Sequence, residues 1–210
     1  MVKLYVEGGG DAASLKTACR EGFATFIRKA GITKQPRIVA CGGRHDAYES
    51  FCTAIANGQP AMLLVDSEEA IAAAHQSYED KSKWLPWLHL KQRQGDDWDK
   101  PKSSEDTDCH LMVQVMESWF LADRNTLNVF FNHGFKENKL PAVSRPVEGV
   151  AKADVYAALK NATADCKTKA LYGKGEHSFK LLALIDPAKV TGASPWARRF
   201  VDELKKKMDT

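Results

Sequence analysis

The first 70 positions alternate between short apolar runs and longer stretches with a helical repeat. Residues 2–6 are apolar and rich in β-branched and aromatic side chains. Residues 13–30 place Leu15, Ala18, Cys19, Gly22, Phe23, Phe26 and Ile27 at helical spacing, and Gly31 follows as a stop. Residues 37–41 repeat the strand pattern ahead of Gly42-Gly43. Residues 47–57 carry Tyr48, Phe51, Cys52 and Ile55 on one helical face, ended by Gly58, and residues 61–65 form a third apolar run. Strands that alternate with helices predict βαβ units, hence a mainly parallel sheet covered on both faces.

Farther along, residues 69–79 predict an Ala-rich helix, and residues 83–90 gather Trp84, Trp87 and His89 around Pro86. Residues 91–108 are polar, with Gly95 and Pro101. They predict an exposed loop, long enough for a lid or insertion but equally consistent with a solvated connection. Residues 110–116 predict a fourth strand that runs into a helix over 117–123. Beyond Arg124 no strand pattern returns, and residues 154–164, 177–184 and 195–207 predict helices. Gly134, Pro141, Pro146 and Gly149 cluster between the two regimes. The expected architecture is a Rossmann-like α/β core over residues 1–131 and a helical C-terminal extension over 132–210 packed on it.

Composition changes this picture little. A chain of 210 residues with 44% hydrophobic and 27% charged residues suits one globular domain, with or without a subdomain. The net charge of +3 is too mild to argue for nucleic acid by itself, so local clustering must decide. Five cysteines without a CxxC pair predict reduced thiols in a cytoplasmic protein and argue against a zinc site. No apolar run approaches the roughly 20 residues a membrane span needs, and no leader-like segment opens the chain.

The candidate chemistry lies where apolar runs stop. Leu64-Val65 gives way to Asp66-Ser67-Glu68. Val6 gives way to Glu7, then Gly8-Gly9-Gly10-Asp11. Met116 gives way to Glu117. Right-handed crossovers place the C-terminal ends of parallel strands on one edge, where ligands of open α/β sheets bind. Carboxylates gathered there repel unless they share a proton or a cation. Mg2+ takes oxygen ligands at about 2.0–2.1 Å and completes its shell with water and phosphate oxygens. The alternative is that these acids cap the helices that follow.

Three glycines after a strand allow positive φ and close approach to phosphate, yet no P-loop or GxGxxG is present. Arg44 and His45 fall on the same edge after the second strand. Arg44 suits a phosphate contact. His45 suits a phosphate contact, acid–base work or a helix cap. Lys174, His177 and Lys180 share one helix face, either holding phosphate or facing solvent. Arg198-Arg199 and Lys205-Lys206-Lys207 are further basic clusters with the same two readings.

The three acid-ended runs carry a resemblance. The segments 6–11, 64–68 and 114–123 are similar to Toprim-type domains, the metal-binding fold of topoisomerases, primases and OLD- or RloB-type nucleases. More closely, with 172–179 and 198–200, the chain resembles a Toprim-related bacterial family of conserved hypothetical proteins known only as a domain of unknown function. The resemblance implies a Mg2+ (or Mn2+) site built from Glu7, Asp66 and Glu68. Two departures stand out: Asp-x-Glu replaces Asp-x-Asp, and Gly10 stands where the nucleases often carry Thr.

The expected activity is a metal-dependent nuclease or phosphodiesterase acting on DNA or RNA. Glu117 and Asp11 would serve as further ligands or as a base for water, and Arg44, Lys174 and His177 would hold phosphate. Such nucleases work beside ABC- or AAA-type ATPases in phage defence, so the resemblance implies an ATPase partner. Self-association is compatible with the sequence. The alternative function is a non-catalytic binding or sensor subunit of an ATPase complex.

Overall fold

Four strands, β1 (Lys3–Val6), β2 (Arg37–Ala40), β3 (Ala61–Asp66) and β4 (Cys109–Met112), pair in the order β2-β1-β3-β4 in the computed structural model, which describes residues 1–209. All pairings are parallel, with Val6 opposite Ala40 and Leu64, and Asp66 opposite Met112. The C-terminal ends of the strands therefore share one edge, as the βαβ pattern predicts. The helices are α1 (Ala13–Lys29), α2 (Arg44–Ala56), α3 (Pro86–Gln92), α4 (Arg124–Phe131), α5 (Lys152–Thr163), α6 (Lys174–Leu184), α7 (Pro187–Ala193) and α8 (Pro195–Asp209).

Alternate strand residues feed two cores because successive side chains point to opposite faces. Leu4, Val6, Met62, Leu64 and Met112 pack with Phe23 and Phe26 of α1, Leu159 of α5, Leu181 of α6 and Phe200 of α8. Tyr5, Leu63, Val65 and Leu111 pack with Phe51 of α2, Trp87 of α3, Trp84, Trp98 and Trp196. The first core runs from Val2 to Met208, so the C-terminal helices complete one face of the sheet.

Several elements differ from expectation. Residues 69–79 hold only one 3-10 turn, Ala73–Gln76, because Ile71 and His75 alone give that stretch something to bury. β4 stops at Met112 rather than 116, and a 3-10 helix spans Met116–Ala122. The 91–108 segment is not uniformly exposed: Trp98, Ser104 and Asp108 are buried, and Trp98 stacks on Tyr48 with centroids 4.6 Å apart. Helices α4 and α7 are too short for periodicity to reveal, but Asp123 and Asp186 cap them.

Arg199 is buried and does not face solvent as part of a basic patch. Its guanidinium donates to the carbonyls of Lys81 (2.7 Å), Asp106 (2.7 Å) and Cys109 (2.8 Å), and contacts Nδ1 of His110 at 3.0 Å. It thereby satisfies the edge strand β4 and pins α8 to it. Burial and the Arg199 charge push the His110 imidazole well below its ordinary pKa, so its Nδ1 accepts. Lys207 is likewise engaged, in an ion pair with Asp108. Arg199→Met is expected to cost about 3 kcal/mol by stranding these acceptors, roughly 6–12 °C in Tm for a chain of this size. Circular dichroism melts check this, and a drop under about 2 °C would contradict the role.

Candidate metal centre

Glu7, Asp66 and Glu68 each offer a carboxylate oxygen within 4.8 Å of the others. Parallel pairing produces the convergence. Glu7 directly follows β1, its N–H donating to the Leu64 carbonyl at 3.2 Å, and its Oε2 accepts the Asp66 N–H at 3.1 Å. Asp66 closes β3, 2% exposed, and its Oδ1 accepts the Met116 N–H at 2.8 Å. The Asp66 side chain thus caps the 3-10 helix at Met116 from across the sheet while keeping a second oxygen.

The pairing with β4 continues two residues past the strand: Ser67 donates to Met112 (3.0 Å) and Glu68 to Gln114 (2.8 Å). Glu68 is held there at φ +68°, a left-handed conformation costing a non-glycine residue roughly 1–2 kcal/mol. The carboxylate reaches the cluster from this strained backbone.

Cations surround the acids unevenly. Arg44 heads α2; its Nε donates to the Asp66 carbonyl at 3.1 Å and lies 3.5 Å from Glu7 Oε2. Its fork grips Asp96, with Nη2–Oδ2 at 2.9 Å, and Arg93 reaches the same carboxylate at 3.0 Å. Arg44 is therefore a brace between the acids and the 91–108 segment. Lys152, at the start of α5, pairs with Glu68. Among the described residues no lysine or arginine comes within ion-pair distance of the Asp66 carboxylate.

Burial raises the pKa of Asp66 well above its ordinary value, and the charges of Glu7 and Glu117 add to the effect. Burial also raises Glu7, against the Asp66 N–H, Arg44 and Lys174. Burial would lower the Lys174 ammonium, but Glu117 and Asp66 outweigh it and hold the group above its ordinary value.

A carboxylate with a raised folded-state pKa binds its proton more tightly when folded. Its contribution is complete below the unfolded values of 3.8 and 4.5 and is lost as pH rises through the folded ones. Without divalent ions, thermal stability is expected to fall from pH 5 toward pH 8 in proportion to this strain. Millimolar Mg2+ or Mn2+ is expected to restore it, with a gain in Tm that grows with pH. A gain that is flat or shrinks with pH would contradict cation binding by Glu7 and Asp66.

Glu117 sits not at a strand end but in the first turn of the 3-10 helix, with no exposed surface. Oε1 accepts from Tyr172 (3.1 Å) and Ser178 (2.9 Å), and Oε2 from Tyr156 (3.2 Å). Its field reaches Asp66 and Lys174, but its lone pairs serve hydroxyls from α5 and α6.

The other candidates lie apart. Asp11 is exposed and outside the three-carboxylate cluster, and the N-cap of α1 is Ala12. His177 turns inward: its Nδ1 accepts the Gly173 N–H at 3.0 Å and its ring packs on Phe130 and Phe131. Lys174 and His177 thus do not act on one surface. His45, Asp46 and Glu49 form a second, exposed group on α2, where Asp46 accepts from the Gly43 N–H.

A profile for a domain of unknown function, DUF4276, matches residues 6–205. The chain belongs to the DUF4276 family. The match takes in Glu7, Asp66, Glu68, Glu117 and Lys174. Comparisons with curated proteins and with solved structures returned no match.

In this DUF4276 chain the glycine turn after Glu7 is packed tightly. A Cβ on Gly9 would lie 2.8 Å from the Lys16 backbone, and one on Gly8 2.9 Å from Phe179. Gly8 and Gly42 exchange hydrogen bonds at 3.0 Å, tying the ends of β1 and β2 together. Only Gly10 faces open space. Gly8 and Gly9 are required for close packing, and all three glycines adopt the positive φ that the sequence predicts. Sequence reasoning assigned no role to Asp96, Lys152, Tyr156 or Tyr172. A concavity of about 690 Å³ at the opposite sheet edge, beside Val2, Pro60 and Met208, is lined by no carboxylate.

Proposed function

We propose that this DUF4276 protein is a Mg2+- or Mn2+-dependent phosphodiesterase acting on DNA or RNA. The observation that carries the reading is the meeting of Glu7, Asp66 and Glu68 at the ligand-binding edge of a parallel sheet. The donor set fits a hard cation: three carboxylates, one buried with no cationic side chain in ion-pair range, and no thiolate or imidazole in the cluster. The similarity to Toprim-type nucleases rests on the same residues and points to the same chemistry.

Glu7, Asp66 and Glu68 would hold the ion, which when bound neutralises phosphate charge and acidifies a water. Arg44 keeps Glu7 and the Asp66 backbone in register. Lys174, on the open flank, adds positive charge where a phosphate oxygen gains negative charge. Glu117 stabilises the Lys174 ammonium, as Asp66 does, and fixes Tyr156 and Tyr172. The wild-type chain, incubated with Mg2+ or Mn2+, is expected to cleave plasmid DNA or RNA, and Asp66→Ala to lose at least about a thousandfold. Equal product from both proteins would overturn the assignment.

One observation favours a second reading. Glu68 is already paired with Lys152, and the Arg44 fork is occupied by Asp96. A chain that keeps these pairs in all states would be a binding or sensor subunit of an ATPase complex, with acids that only shape the surface. A Tm unchanged by millimolar Mg2+ and Mn2+ would favour it.

A further inference from the structure

Beside the acid cluster lies a second concavity, of about 520 Å³, of whose lining the proposed chemistry calls directly on Lys174 alone. Its walls are Tyr156, Leu171, Tyr172 and Gly173, with Lys160 and Lys174 at the rim. Leu171 is 51% exposed and offers apolar surface to this concavity between the two lysines. Two of its residues join it to the acid cluster. Tyr156 donates to Glu117, and the Lys174 ammonium stands 5.7 Å from the centroid of the Tyr156 ring while acting electrostatically on Asp66 and Glu7. A ligand that places an anion near Lys174 therefore extends an adjoining group over Tyr156 and Leu171.

We propose that this depression seats an unpaired base of a single-stranded nucleic acid whose phosphate lies at the acid cluster. The inference rests on the phosphodiesterase reading and names its substrate class. The wall chemistry matches a base: aromatic and aliphatic faces for stacking, with cations at the rim for the flanking phosphates. In a duplex the base faces are stacked on their neighbours, so only a splayed base can lie against Tyr156 and Leu171. On the other side of the acids a concavity of about 420 Å³ is walled mostly by charged groups: Arg44 and Arg93 are held by Asp96, and Trp98, its one aromatic residue besides His45, is 5% exposed and stacks on Tyr48.

The test uses the full chain with Mn2+ and fluorescein-labelled phosphorothioate oligothymidylate and oligouridylate of about 12 nucleotides, with a matched blunt duplex. Anisotropy is expected to show the single strands bound about tenfold more tightly than the duplex. Leu171→Ser removes apolar surface without changing charge, and is expected to weaken single-strand binding about five- to tenfold while leaving duplex binding unchanged. Leu171→Trp enlarges the stacking face and is expected to tighten it. Mn2+ binding by calorimetry is expected to match wild type in both variants, which separates the pocket from the acid cluster. If both variants bind the single strands as wild type does, or shift duplex binding equally, the base-seat assignment falls and the phosphodiesterase reading stands. If the wild-type chain binds neither nucleic acid in Mn2+, both fall.

Discussion

Asp66→Asn is expected to make the metal-free protein more stable and blind to divalent ions. The two halves of that result have one cause. Asp66 is buried, its carboxylate faces those of Glu7 and Glu117, and its one direct partner is the Met116 N–H. An ionised carboxylate in such a place loses hydration that a single amide donor does not replace. Asparagine keeps an acceptor for Met116 and the same volume, and removes the charge. At pH 8, where the carboxyl is under far more pressure to ionise than at pH 4, removing it is expected to add about 1–2 kcal/mol, roughly 2–8 °C in Tm. At pH 4 the difference is expected to vanish, because the wild-type group is then protonated. Adding Mn2+ reverses the ranking, since the wild type gains a ligand for the ion and the variant does not. Calorimetry of both proteins at the two pH values, with and without Mn2+, checks the whole pattern. A variant that is less stable at pH 8 without metal would mean that Asp66 has a cationic partner in solution and that the acids form a structural ion-pair network.

The sequence made the skeleton of this site legible for a physical reason. Apolar runs that stop at an acid are visible without any partner, and handedness places parallel strand ends on one side. That logic brings Glu7, Asp66 and Glu68 together from residues 59 positions apart. It fails for Glu117, because an apolar run does not say where pairing ends. Residues 113–116 look like strand, but β4 stops at Met112 and the chain turns into a 3-10 helix that buries the carboxylate. It fails for His177 because helical spacing fixes a face but not which neighbour that face meets; here the neighbours are Phe130 and Phe131. The brace of Arg44, Arg93 and Asp96 was out of reach for a different reason. Asp96 lies in a polar segment with no periodicity, and only the burial of Trp98 draws that segment back against α2. Arg199 looked like surface charge for want of any local sign that β4 is an edge strand needing a donor.

Glu117→Ala is expected to be among the most damaging single substitutions in the chain, and Glu117→Gln separates the two roles open to this residue. The carboxylate accepts from Tyr156, Tyr172 and Ser178, so it joins α5 and α6 to the segment behind the acid cluster. Truncation to alanine removes the acceptor of Tyr156 and leaves the Tyr172–Ser178 pair only its mutual hydrogen bond, and it opens a cavity, at a cost of about 3–5 kcal/mol, roughly 6–20 °C in Tm. Glutamine keeps the carbonyl oxygen for Tyr172 and Ser178 and offers an N–H where Tyr156 donated; the Tyr156 hydroxyl can rotate to accept it. Its thermal cost is expected to be no more than about a third of the alanine's. As a positioning residue, Glu117 acts through Lys174 and the two tyrosines. Glutamine would then hold Mn2+ affinity within a few-fold of wild type and lower turnover, because the Lys174 ammonium loses one of the two carboxylates whose charge stabilises it beside the acid cluster. The pH profile of activity would fall earlier on its alkaline side, as the Lys174 ammonium titrates nearer its ordinary range. A metal ligand would behave otherwise: Glu117→Gln would lose Mn2+ affinity as steeply as Asp66→Asn and leave the alkaline limb in place. The three hydroxyls on its oxygens favour the first outcome, since they occupy three of its roughly four acceptor sites.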